Sequence, residues 1–181
     1  MPFVPLQLSW TRRKEAKVLT RAEWLGILPP LRGEALLSGF YVNELLMRLT
    51  EREDIHPGLF PAYVRVIEAL THSDPAAQQR GLRRFEADLL RICGWQVLIS
   101  EGGDAPRFTL RSTGDLAGVS GSFGNEIRTW ERRDVLDVLE GRLERPEALR
   151  AAREIYREAI ELRLDGRPLK TRRVLAELKR L

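Results

Sequence analysis

Directly after Pro29-Pro30 the chain carries Leu37, Tyr41, Leu45 and Leu49 at steps of four, and Leu36, Phe40, Val42 and Leu46 widen that stripe. Residues four apart share one face of an α-helix, and a helix apolar over so much of its girth is stable only when buried among other elements. The rest of the sequence supplies those neighbours. A second helix follows Pro57, with Phe60, Tyr63, Val64, Ile67 and Leu70 on one side. A third has Asp74 as N-cap and Pro75 at the first helical position, turns Leu82, Phe85, Leu89 and Ile92 inward, and closes at Gly94. Helices resume near Thr129–Leu143 and again from Pro146 to Leu164, with Leu149, Ala152, Ile155, Tyr156, Ala159 and Ile160 facing inward. Gly166 ends that helix, and a last short one starts after Thr171. The expected class is mainly α: a helical bundle body.

Two stretches break the helical period. Residues 3–20 read as a β-hairpin. Leu6, Leu8 and Trp10 alternate with polar residues, Thr11–Glu15 form a polar turn without glycine, and Ala16–Thr20 return. Two strands alone are marginal in water, so this hairpin must lean on the helices or on something else. Residues 95–127 are rich in Gly, Ser and Thr, with β-like pieces at Trp95–Ile99, Phe108–Arg111 and Leu116–Val119. They read as an irregular insertion with a possible hairpin.

Several classes of chemistry find little support. A chain of 181 residues with 43% hydrophobic content can bury a core, and no run approaches the length that spans a bilayer. Cys93 is the single cysteine, and with only His56 and His72 there is no set with zinc-ligand spacing. No G-x-x-x-x-G-K-[ST] loop, dinucleotide fingerprint or H-E-x-x-H helix occurs. The carboxylates Glu51, Glu53 and Asp54 lie in a charged segment with no apolar pocket to raise a pKa. The expectation is a protein that is not an enzyme, uses no cofactor or metal, enters no membrane and resides in the cytoplasm.

Charge is placed unevenly. Residues 1–24 hold five Lys or Arg against two Glu, and residues 163–181 hold seven against two acids. The middle is net negative within an overall +4. Basic ends suit an anionic partner, although such runs are also ordinary solvated faces. Three features sharpen this. Arg12, Arg13, Lys14 and Lys17 sit beside Trp10, and cations next to a ring suit single-stranded nucleic acid, yet Trp10 shares a face with Leu6 and Leu8 as a core residue would. On the third helix Arg84 falls on the solvated face, while Arg83 stands at the edge of the apolar stripe. There it can pair with Glu86 or guard a greasy pocket for a carboxylate, and geometry alone favours the pair. Finally, Thr171 can cap a helix start flanked by Lys170, Arg172 and Arg173. That is either a phosphate seat or a basic turn closing the fold.

Four blocks then resemble one family. Ser38–Leu49 is similar to the signature helix of RecO recombination-repair proteins, and Leu82-Arg83-Arg84-Phe85-Glu86 with Leu89-Leu90 and Gly94-Trp95 is similar to their third-helix motif. Leu164–Arg172 resembles their C-terminal G-[RK]-P-L-[KR]-S-R motif. Pro2–Leu6, the basic turn and Lys17–Glu23 resemble the last hairpin of their N-terminal oligonucleotide-binding (OB) barrel. The resemblance implies a truncated OB-fold remnant at residues 1–28, lacking about three upstream strands, and a helical domain at 29–181. It implies a nucleoid-associated bacterial mediator of DNA repair and recombination. Such a protein binds single- and double-stranded DNA and the acidic C-terminal tail of single-strand binding protein, anneals strands, and with RecR loads RecA. Arg83, Arg84 and Phe85 are the implied tail contacts, and Arg12, Arg13, Lys14, Lys17, Lys170, Arg172 and Arg173 the DNA contacts. Relatives that hold zinc do so through cysteines in the segment matching 95–127. None stands there, so no zinc is expected. A narrower reading also stays open, in which the helical body binds the tail and the partial barrel binds nothing.

Overall fold

The computed structural model describes residues 2–13, 16–26, 28–51, 54–121, 127–164 and 166–178, leaving aside the side chains of residues 12, 13, 16, 176 and 178. The chain is mainly α. Strands β1 (Leu6–Arg13) and β2 (Ala16–Trp24) come first, then helices α1 (Gly33–Leu49), α2 (Leu59–Leu70) and α3 (Pro75–Ile92). Strands β3 (Ile99–Glu101), β4 (Arg107–Leu110), β5 (Leu116–Val119) and β6 (Trp130–Glu131) follow, and α4 (Arg132–Leu139), α5 (Pro146–Glu161) and α6 (Lys170–Leu178) complete it. No helix among the described residues is long and apolar enough to cross a membrane.

The helices bury the stripes that their spacing dictates. On α1, Val42, Leu45 and Leu49 are buried, and on α3 Leu82, Phe85, Leu89 and Leu90. Each such side chain contributes about 1.5–3 kcal/mol by leaving water. Asp74 caps α3 by accepting from the amides of Ala76 (2.9 Å) and Ala77 (3.1 Å), and Gly94 takes the left-handed conformation that stops it. The α1 stripe is narrower than expected, since Phe40 is 42% exposed. On α2 the inner face is Ala62, Val66, Ile67 and Leu70, and Phe60 points outward. Ile67 and Leu70 face inward as expected, whereas Phe60 does not, and α2 packs against α3. On the same interface, a Cβ at Gly81 of α3 would overlap that of Ala69.

The segment expected to be irregular is a four-stranded sheet in the order β3-β5-β4-β6. β5 pairs parallel with β3 and antiparallel with β4, and Phe108 on β4 stands opposite Trp130 on β6. The sheet therefore reaches beyond residue 127 into the region expected to be helical. β4 and β5 fall where β-like pieces and a hairpin were expected, at Phe108–Arg111 and Leu116–Val119. The two-residue β6 carries too little alternation to be recognised, and Phe108, Leu116 and Trp130 give the sheet a buried apolar face. The indole N–H of Trp130 donates to Glu154 of α5 at 2.9 Å, joining sheet to bundle. Gly118 lies so close to the Gly102 carbonyl that no side chain fits between them.

The N-terminal hairpin is longer than expected. Its ladder runs from Leu6 opposite Trp24 to Arg13 opposite Ala16, with a bulge after Ser9. The expectation that Trp10 belongs to the core is corrected: it is 59% exposed, and Trp24 is 67% exposed. Leu6, Leu8, Trp10, Leu19 and Trp24 form one apolar face that no described element covers. The ribbon is tied to the body at its base. There Phe3 packs edge-on against Phe40 at 5.3 Å and fills a notch at Gly39, where a Cβ would meet the Phe3 ring at 2.8 Å.

Candidate functional site

Four helices each bring side chains to one cleft of about 320 Å³. From α1 come Leu37 and Tyr41, four apart, and from α3 Leu82 and Arg83. Arg153 and Arg157, also four apart, reach it from α5, and Arg172 and Leu175 from α6. Three leucines give an apolar floor, and four guanidinium groups surround it. An apolar slot ringed by fixed forks suits a ligand carrying both a greasy side chain and carboxylates.

The cleft wall is an ordered relay. Arg83 is only 6% exposed, and its guanidinium pairs with Glu86, itself 1% exposed, at 2.9 Å. The Tyr41 hydroxyl donates to the same Glu86 oxygen at 2.6 Å and accepts from Arg172 at 3.3 Å. The Arg172 guanidinium also stacks 5.5 Å from the centre of the Tyr41 ring. Burial first, and then the neighbouring Glu86 charge, hold the Tyr41 phenol well above its ordinary pKa, so it stays a neutral donor. The buried Arg83 Nε and Glu86 Oε2 have no hydrogen-bond partner among the described residues. Both atoms are sealed from solvent, so the wall behind the cleft holds one donor and one acceptor that the described residues leave unmatched.

The sequence-derived candidates separate into groups. Arg83 lines the cleft and Arg172 joins it from α6. Arg84 faces away and pairs with Glu144 at 3.6 Å, and Phe85 is sealed in the core. Of the two readings of the α6 start, a phosphate seat or a basic turn closing the fold, the structure favours the second, because a carboxylate of the chain already fills the place. Glu44 of α1 accepts from the amides of Lys170 (2.7 Å) and Thr171 (2.9 Å) and from the Thr171 hydroxyl (2.7 Å). Thr171 thus donates to a cap from another helix instead of capping its own, and this turn closes the fold. Lys170 and Arg173 remain exposed beside it. Lys17 is exposed on β2, opposite Arg12. Lys14 and the side chains of Arg12 and Arg13 lie outside the described residues. The hairpin and α6 are not in contact as packed elements.

Sequence reasoning missed Tyr41 as a site residue, and missed Arg153 and Arg157. The only sequence signal for the arginines was their four-residue spacing, which any solvated helix face shares. Among the described residues no three His, Cys, Asp or Glu gather as a metal-holding group. Cys93 donates its thiol weakly to the Leu49 carbonyl at 3.6 Å, and burial raises its pKa, away from nucleophilic character.

Comparison with known proteins gives a consistent result. The family description "Recombination protein O C terminal" matches residues 31–104, which include α1, α2 and α3. The DNA repair protein RecO of Ralstonia nicotianae is 38% identical over 187 residues, covering 99% of this chain and 67% of that protein. Its namesake in Aromatoleum aromaticum is 39% identical, covering 100% and 77%, and that of Cupriavidus metallidurans 37% identical, covering 99% and 62%. The chain thus spans 62–77% of these relatives' lengths.

Proposed function

Since the chain belongs to the RecO family of DNA repair proteins, we propose that it is a recombination mediator that captures the acidic, apolar C-terminal tail of single-strand binding protein in the cleft between α1, α3, α5 and α6. One observation carries this reading: a leucine-floored cleft ringed by Arg83, Arg153, Arg157 and Arg172. The apolar side chain of the tail takes the floor and its carboxylates take the guanidinium groups. DNA is held through phosphates by exposed cations, Lys17 on the ribbon and Lys170 and Arg173 at α6, and the ribbon is the end of an OB barrel. Strand annealing and RecA loading with RecR follow from holding tail and strand together.

Calorimetric titration of the tail peptide into the full chain tests the cleft. Arg83→Ala weakens capture by about 2–5 kcal/mol if Arg83 is a desolvated charge partner. Because Arg83 also pairs with Glu86, the exposed Arg153→Ala provides a check that leaves the core alone. Unchanged affinity in both variants overturns the reading. Single-strand binding should weaken with salt, with log affinity falling by about 0.7 per phosphate contact for each tenfold rise.

A narrower reading has its own support. The peptide cleft is complete, whereas the apolar face of the ribbon stands open. On that reading the chain binds the tail alone. Tail capture without measurable oligonucleotide binding at low salt selects it.

A further inference from the structure

A second cleft, of about 480 Å³, lies on the other side of Arg172, floored by Leu164 and Leu169 and walled by Arg157, Arg167, Arg172 and Arg173. The carboxylate facing these four arginines is Glu161. One of its oxygens accepts from Arg157 Nε at 2.9 Å and from Arg172 at 2.7 Å. It neutralises part of the charge and leaves the wall net positive. Gly166 in the left-handed conformation turns the chain here, and Arg48 of α1 holds the turn by donating to the carbonyls of Arg167 (3.0 Å) and Pro168 (3.4 Å). Arg167 therefore stands on a braced turn, between Arg157 on α5 and Arg172 and Arg173 on α6. Four guanidinium groups, one on a braced turn and three on helices, outnumber the carboxylates described beside them, Glu161 and Glu177 (3.9 Å from Arg173), and suit the phosphates of a nucleic-acid strand.

Arg157 and Arg172 line both this cleft and the leucine-floored one. Glu161 already holds one N–H of each, and Tyr41 takes another from Arg172, so a ligand in either cleft meets the same partly committed pair of cations. Two anions seated on either side of the same pair of cations also repel each other. We propose that the second cleft is a phosphate seat for a nucleic-acid strand, and that through Arg157 and Arg172 its occupant and the acidic peptide weaken each other's binding. The inference rests on the peptide reading above for its second half only. It makes the peptide cleft a release device, in which a strand arriving at Arg167 and Arg173 loosens the tail that delivered the protein. Linkage requires the two ligands to penalise each other by the same factor.

The test uses the full chain, a fluorescent single-stranded oligonucleotide and the acidic-tail peptide, read by anisotropy at fixed salt. Saturating peptide should raise the oligonucleotide Kd about tenfold, and saturating oligonucleotide should raise the peptide Kd by the same factor. Arg173→Ala and Arg167→Ala, both at exposed positions, should weaken the oligonucleotide several-fold and leave peptide Kd unchanged. Oligonucleotide affinity unmoved by either substitution overturns the phosphate seat. Additive, independent binding of the two ligands overturns the exclusion. Loss of peptide capture in Arg83→Ala, judged separately, tells whether the peptide reading itself stands.

Discussion

Thr171 donates both its amide and its hydroxyl to one oxygen of Glu44, 127 positions earlier in the chain. Burial opposes the charged carboxylate, but the Thr171 bonds, the Lys170 amide and Arg48 outweigh it and hold the Glu44 carboxyl below its ordinary value. A lowered folded-state pKa means that this carboxylate adds stability above the ordinary value of 4.5, and that the gain is lost as pH falls through the lower folded value. Glu44→Gln is therefore expected to loosen α6 at neutral pH, costing about 1–3 kcal/mol for donors left poorly matched. The gap between variant and parent, measured by thermal unfolding, should shrink below pH 4.5. A gap independent of pH would mean that the charge is not what holds α6.

The relay behind the cleft separates stability from recognition. Arg83→Met strands Glu86 in the core without its cation and is expected to cost about 3–5 kcal/mol. Adding Glu86→Leu removes the stranded charge and should return most of that stability. Peptide affinity should not return with it, because the guanidinium is still absent. Denaturant midpoints and calorimetry on the same two variants make the distinction, and recovery of both together would assign Arg83 a purely structural role.

The closest approach of α2 and α3 turns on Gly81. Replacing a helical glycine by alanine ordinarily gains about 1 kcal/mol of helix propensity. Here the added methyl overlaps the Ala69 side chain, and overpacking of this kind costs about 1–3 kcal/mol. Gly81→Ala is therefore expected to destabilise, and Ala69→Gly in the same chain to relieve it. The comparison needs only thermal melts of three variants. A stabilised Gly81→Ala would show that the two helices slide apart at no cost.

The open face of the ribbon predicts behaviour at high concentration. Leu8→Ser and Trp10→Ser should change unfolding free energy by no more than about 0.5 kcal/mol, since neither side chain belongs to the core. They should reduce self-association, because a twisted apolar face with free edges attracts further strands. Light scattering across a concentration series measures this directly. Unchanged association would place the sticky surface elsewhere.

Much of the fold was legible where a residue type has only one good use. Asp74-Pro75 marks a helix start and Gly94 a helix stop, and α3 obeys both. The same helix gave Arg83 at the edge of its apolar stripe and paired it with Glu86, as found. What could not be read were meetings of distant segments. Nothing local says that Glu44 caps a helix in the last dozen residues, or that Arg153 and Arg157 share a cleft with Arg83. Ionic residues on exposed helix faces look alike until a neighbour is placed beside them. The sheet was legible only in pieces for a related reason: the runs at Phe108–Arg111 and Leu116–Val119 could be read as strands, but strands of two to four residues carry too few alternations to show the pairing of Ile99 with Leu116 or the strand at Trp130.

The notch in which Phe3 lodges also constrains how this chain can drift over generations. Any residue larger than glycine at 39 collides with the Phe3 ring and with Leu31, so it must evict the aromatic that fixes the base of the ribbon. Conversely, a small residue at position 3 leaves a void over α1 and frees position 39 to vary. Positions 3 and 39 should therefore change together in descendants of this sequence, as lock and key rather than as independent letters.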